Sequence, residues 1–159
     1  LDGYAFVVEA LIGASIGARN RLQFDLAVKR STVLAGISAA ILALIIWLFG
    51  ASIVALLTDL SPVRDAAGGM LFLAATYVFV SFAAFQLDGI FIGASRTAQM
   101  RNAAFISVAV FLIAWWLLAS RYGVNGLWGA MIIYVIARAG ALLIYLPALR
   151  ASIDLPQKK

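Results

Sequence analysis

The feature that most constrains this chain is the run from Ser31 to Thr58, which contains no charged residue. A helix needs about 20 predominantly apolar residues to cross the roughly 30 Å hydrocarbon core of a bilayer. The rest of the chain has the same character, because 65% of its 159 residues are apolar and 12% are charged. Soluble domains are roughly half apolar and a quarter charged. We therefore expect an integral membrane protein.

Four further stretches are long and apolar enough to be membrane helices. The five predicted spans are 3–18, 31–58, 66–94, 103–120 and 125–149. None shows the alternation of period two that is typical of a barrel strand, and the connections between them are short. The sequence predicts an all-α fold, a polytopic transmembrane helix bundle that forms a single transmembrane domain over residues 1–159.

The basic residues alternate between the two sides of this predicted bundle. Nine lie on one side and two on the other: Arg19, Arg21, Lys29, Arg30, Arg96, Arg101, Arg150, Lys158 and Lys159 against Arg64 and Arg121. Because cytoplasmic loops are enriched in Lys and Arg, the C-terminus is predicted to be cytoplasmic. The first residue then lies outside, which predicts at least one preceding span and hence a fragment of a longer chain. Topology also accounts for the net charge of +5, so we expect no nucleic-acid partner.

Four polar residues inside the predicted spans are candidates for function: Glu9, Gln86, Asp88 and Arg138. Arg19, Arg96 and Arg150 follow the ends of the spans that contain these three charges. Counting 1.5 Å per residue from these arginines places the charges roughly 12 to 18 Å inside the membrane. An intramembrane charge costs about 2.5 to 3.5 kcal/mol on insertion scales, so each should face the bundle interior and have a partner. One interpretation is a buried charge network that ties helices together. The other is an ion-coupling site, in which the acid left over by one arginine exchanges a proton or binds Na⁺.

Two Gly-x-x-x-Gly patterns occur, one formed by Gly13 and Gly17 and the other by Gly89 and Gly93. Glycines four apart form a groove that lets another helix approach closely. We predict helix packing at both, and helices that slide or bend during transport are the alternative.

The chain contains no cysteine and no histidine. Disulfides, thiolate chemistry and histidine-based metal sites or catalysis are thereby excluded within it. We expect no enzyme, and no cofactor beyond a coupling ion, H⁺ or Na⁺.

Two segments resemble those of a known family. Residues 1–20 read LDGYAFVVEALIGASIGARN, and residues 87–102 read LDGIFIGASRTAQMRN. The first is similar to the eighth span of MATE (multidrug and toxic compound extrusion) transporters. The second is similar to the end of their tenth span and the loop after it. The resemblance is to the DNA-damage-inducible protein F (DinF) branch in particular.

The resemblance implies spans eight to twelve, part of the C-terminal lobe of a twelve-span, two-lobed transporter of the inner (plasma) membrane. It implies a secondary active antiporter that exports cationic or amphipathic drugs and xenobiotics in exchange for H⁺ or Na⁺. Its partners would be the lipid bilayer, organic cations and the N-terminal lobe of the same chain, where this branch has its proton site. The acid that other branches place in span ten aligns nearer Ser81 than Asp88. A flippase of lipids or lipid-linked oligosaccharides, and a non-transporting membrane scaffold subunit, remain as alternatives.

Overall fold

The computed structural model describes residues 2–154. Its elements are α1 (Asp2–Gly17), α2 (Arg21–Leu57), α3 (Ser61–Gly68), α4 (Leu71–Gly93), α5 (Thr97–Ala151) and a 3₁₀ turn (Ser152–Asp154). Every regular element of this part of the chain is helical, which confirms the predicted all-α class.

Helix α4 is the centre of the fold, because it packs against α1, α2 and α5. Its C-terminal half carries the buried face of the bundle, and the side chains of Ile90 and Phe91 are almost fully buried. They belong to a core that also contains Val8, Ile12, Phe24 and Leu142. The well-packed half of the bundle is therefore the one that contains the C-terminal half of α4, which the sequence predicts to be the cytoplasmic half.

The apolar side chains outside this core face outward. Leu56 is 87% exposed, Ile144 77% and Trp116 72%. Exposure of apolar surface to water costs about 25 cal/mol per Å², so such a surface requires a hydrocarbon environment. Helices α2, α4 and α5 are each long and apolar enough to cross a membrane. The chain is therefore a multi-pass membrane protein.

Helix α5 folds back on itself at Gly123. This glycine has φ 56° and ψ −130°, outside the helical region. The rings of Phe111 and Tyr134 lie 6.0 Å apart, whereas a straight helix would separate these residues by about 35 Å. Helix α5 thus consists of two antiparallel arms, residues 97–122 and 124–151, and each arm exceeds the length that a membrane helix needs.

The first connection is shorter than the sequence predicted. Residues 21–30 were expected in a loop because of their charges, but α2 already begins at Arg21. The side chain of Asn20 accepts a hydrogen bond of 3.0 Å from the Gln23 amide and caps this end. Charges mark the end of the apolar stretch, but a helix can continue beyond it into water.

The connection between α2 and α4 contains a separate short helix. The third span was predicted from Ala66, but residues 61–68 form α3, with Pro62 in its first turn, and α4 begins only at Leu71. Arg64 fastens α3 to the end of α2: its Nε donates to the Thr58 carbonyl at 2.7 Å and its Nη2 to the Ala55 carbonyl at 2.9 Å.

Candidate functional site in the helix interfaces

Asp88 on α4 and Arg138 on the second arm of α5 form a two-pronged ion pair. Arg138 Nε and Nη2 donate to the two carboxylate oxygens of Asp88, each at 2.9 Å. The arginine side chain is 16% exposed and the aspartate 21%. Paired, fork-to-fork geometry is the strongest form of this interaction, and each charge here neutralises the other between two apolar helices. The pair therefore joins α4 to α5.

Gln86, two residues earlier on α4, contacts α2. Its Nε2 donates to the Ser31 hydroxyl at 2.5 Å, and that hydroxyl donates to the Ala27 carbonyl at 2.6 Å. Gln86 is 2% exposed and Ser31 5%. The Oε1 atom of Gln86 has no hydrogen-bond partner in the described part of the chain, and such an atom costs about 1 to 3 kcal/mol when buried.

Glu9 belongs to neither of these contacts. Its backbone packs on Gly93, so it is level with the last residue of α4. Counting from Arg19 had placed it at the depth of Asp88 and Arg138. In the fold Glu9 lies beside Gly93 and not beside Asp88, because α1 continues past the end of α4. Within residues 2–154 the half-buried Glu9 side chain makes no hydrogen bond or ion pair.

The glycines of α4 lie where α1 crosses it. A Cβ built on Gly89 would come within 2.5 Å of the Ala5 carbonyl oxygen, and one built on Gly93 would come still closer to the Glu9 carbonyl. Real Cβ atoms essentially never approach a heavy atom this closely. The two backbones are therefore in direct contact, as in small-residue interfaces between membrane helices.

The glycines of α1 differ from each other. A Cβ on Gly13 would meet the Gly93 carbonyl oxygen at 3.5 Å, an ordinary contact, whereas one on Gly17 would meet nothing within 4 Å. Gly17 is exposed at the end of α1. Within residues 2–154 Gly17 has no packing partner, because α1 has already passed the end of α4 there, so the packing role of Gly17 stays a prediction.

Charged contacts at the ends of the helices were missed by the sequence reasoning. Asp25 at the start of α2 accepts hydrogen bonds from Arg150 near the end of α5, with Nε–Oδ1 at 2.7 Å. This hydrogen bond lowers the pKa of the Asp25 carboxyl, which lies ahead of the uncharged part of α2. Arg96 donates to the Ser152 hydroxyl at 2.8 Å. An acid inside an otherwise basic segment was the available signal for Asp25.

No metal centre is formed by the described residues, among which no group of three His, Cys, Asp or Glu side chains could hold an ion. The site consists instead of separate polar contacts, each joining α4 or α5 to another helix. The fold and these contacts define a class: a multi-pass membrane protein whose apolar helices are joined by internal ion pairs and hydrogen bonds.

The chain belongs to the MatE family, whose model matches residues 3–118. This confirms the resemblance to MATE transporters that the two motifs carried. DNA damage-inducible protein F of Escherichia coli (strain K12) is 32% identical over 142 residues, which cover 89% of this chain and 31% of that protein. The chain thus spans about a third of the length of this curated relative. No solved structure matches it.

Proposed function

We propose that this chain is part of a secondary active antiporter that exports cationic or amphipathic compounds in exchange for H⁺ or Na⁺. The observation that carries the proposal is the family match over residues 3–118. The outward apolar surface supports it, because transport of this kind requires a bundle that spans the bilayer.

The proposed topology has five spans: α1, α2, α4 and the two arms of α5. They would correspond to spans eight to twelve, with the C-terminus in the cytoplasm and an N-terminal lobe supplied by the rest of the protein. The hairpin at Gly123 supports the separation of spans four and five. The excess of Lys and Arg on one side supports the orientation.

The two acids inside the predicted spans differ in their contacts. Arg138 takes Asp88 as its partner, so Glu9 is the acid left over. A carboxylate without a partner at a helix interface can accept a proton or hold a cation, and its charge then changes the relative stability of two arrangements of the helices. We propose Glu9 as an ion-coupling residue and Asp88 as a residue that joins α4 to α5.

The test is dye accumulation in efflux-deficient cells that express the full-length protein. Wild type, Glu9→Gln and Asp88→Asn are compared at matched membrane expression, with Asp65→Asn on exposed α3 as the control for loss of one negative charge. We expect wild type and the control to lower dye accumulation and Glu9→Gln to abolish this effect.

Two outcomes would contradict the proposal at different levels. If Glu9→Gln pumps like wild type, the role of Glu9 is lost but drug export stands. If wild type lowers the accumulation of no dye, drug export itself is rejected, and flipping of a labelled lipid in reconstituted vesicles is the assay that follows.

A further inference from the structure

A groove of about 470 Å³ runs between α1 and α2. Its walls come from one face of each helix: Tyr4, Val7, Leu11 and Ala14 on α1, and Gln23, Leu26, Ala27, Arg30, Ser31 and Leu34 on α2. The spacing of three and four residues on both helices means that each set lies on a single stripe. Ten residues thus line one groove along the helix axes.

At the Tyr4 end of the groove, a hydrogen bond of 2.8 Å between the hydroxyls of Tyr4 and Ser38 joins the two helices. Its other end lies beside the connection between the two helices, where Gln23 lines it. From Gln23 to Leu34 the helical rise corresponds to about 16 Å. The groove is therefore long, narrow and open along its side.

Arg30 lies among apolar residues of the lining, with Leu26 and Ala27 before it on α2 and Leu34 after it. Val7, Leu11 and Leu34 form an apolar wall, and each is about half exposed. Among the described residues that line the groove, Arg30 is the one that carries a charge, and it directly precedes the uncharged run of α2. Within residues 2–154 the exposed Arg30 side chain has neither an ion-pair nor a hydrogen-bond partner.

A cation beside the apolar wall of a groove favours an amphiphile with a negative head. Its phosphate would pair with the guanidinium, to which phosphate oxygens bind in the same forked geometry as carboxylates. Its acyl chain would lie along the apolar wall towards Tyr4. Basic residues near the membrane surface attract anionic lipids.

We propose that the groove between α1 and α2 binds one acidic phospholipid, with its phosphate on Arg30 and an acyl chain along Val7, Leu11 and Leu34. The charge and the apolar wall together define this occupant. A zwitterionic lipid fits the wall but carries its own cation, which opposes the pairing with Arg30. The proposal concerns a lipid bound to the protein and does not depend on drug export.

The experiment measures lipid retained by the full-length protein in non-ionic detergent by native mass spectrometry. The probes are phosphatidylglycerol and phosphatidylcholine with identical acyl chains, so that the headgroup is the difference between them. We expect about fivefold stronger retention of phosphatidylglycerol, which corresponds to the roughly 1 kcal/mol of one basic residue.

Three variants locate the site. Arg30→Ala should abolish the preference for phosphatidylglycerol, and Arg30→Lys should keep most of it. Arg101→Ala removes the same charge from the exposed start of α5 and should leave the preference unchanged. Leu11→Trp, which fills the groove, should weaken the retention of both lipids.

Equal retention of both lipids by wild type would overturn the proposal, as would an unchanged preference in Arg30→Ala. An equal loss in Arg30→Ala and Arg101→Ala would show a response to total charge and not to this groove. If another segment of the protein fills the groove, Leu11→Trp will leave the lipid retention at the level of wild type. That result would also reject the proposed lipid site.

Discussion

At the scale of single residues, the ion pair between Asp88 and Arg138 is the contact with the largest energetic consequence. Both side chains are mostly buried between α4 and α5. Removal of one partner leaves the other as an uncompensated charge, which destabilises a protein by about 3 to 5 kcal/mol in buried pairs. Replacement of both by apolar residues can be nearly neutral.

We therefore expect Asp88→Leu and Arg138→Leu each to lower the melting temperature of the detergent-solubilised protein strongly. The double variant Asp88→Leu/Arg138→Leu should recover most of the loss. Thermal unfolding followed by tryptophan fluorescence measures this directly. Additive losses in the double variant would mean that the two residues act independently.

For Gln86 we expect that removal of the polar group does not destabilise the protein. Because its Oε1 is buried without a partner, Gln86→Leu removes an unsatisfied acceptor along with one hydrogen bond to Ser31, whose hydroxyl still donates to Ala27. We expect this variant to unfold at the same temperature as wild type or a higher one. A loss of more than about 1 kcal/mol, the usual net value of a hydrogen bond, would show that Oε1 has a partner in the membrane.

At the scale of helices, α1 and α4 are joined through backbone contact at two glycines. Gly89→Ala and Gly93→Ala would each force a methyl group into the backbone of α1, and overpacking of this kind costs about 1 to 3 kcal/mol. Gly140→Ala is the matched control, because its Cβ would meet nothing within 4 Å and alanine favours a helix by up to about 1 kcal/mol.

The comparison is made on melting temperatures of the three single variants. We expect both α4 variants to melt below wild type and the control to melt at or above it. If all three melt alike, the contact between α1 and α4 does not contribute to stability.

The sequence predicted the helices well and their ends poorly. An uncharged run is a direct physical requirement of the bilayer, so the apolar parts of α2 and α4 could be predicted. The start of α2 could not, since a charged segment such as residues 21–30 is compatible with both a loop and a helix that leaves the membrane. The short helix α3 depends on tertiary contacts of Arg64 with α2 that have no periodic signal.

For the site, too, some features could be predicted from the sequence and others could not. Intramembrane charge identified Asp88 and Arg138, because an ionised group between apolar helices requires a partner. Which acid Arg138 would pair with could not be predicted, since this depends on how far α1 extends past α4. That relation places Glu9 at the end of α4 and apart from the pair.

At the scale of the whole molecule, the proposed topology is testable one residue at a time, because this chain adds no cysteine of its own to the background of a labelling experiment. Single cysteines at Ala18 and Thr97 should react with a membrane-impermeant maleimide only after cells are permeabilised. Cysteines at Ser61 and Tyr122 should react in intact cells, because the two sides are set by the excess of Lys and Arg. Reaction of Ser61→Cys and Tyr122→Cys from opposite sides would contradict the five-span arrangement.

The length of α2 has a mechanical consequence. Its 37 residues extend over about 55 Å, well beyond the roughly 30 Å of hydrocarbon. The Asp25–Arg150 pair holds one end of this rod and the Arg64 contacts hold the other. A rigid lever of this length converts a tilt of about 10° around its middle into a shift of roughly 5 Å at each end. A movement at the start of α2 would therefore also displace α3, at the other end of this helix, without any change inside α2.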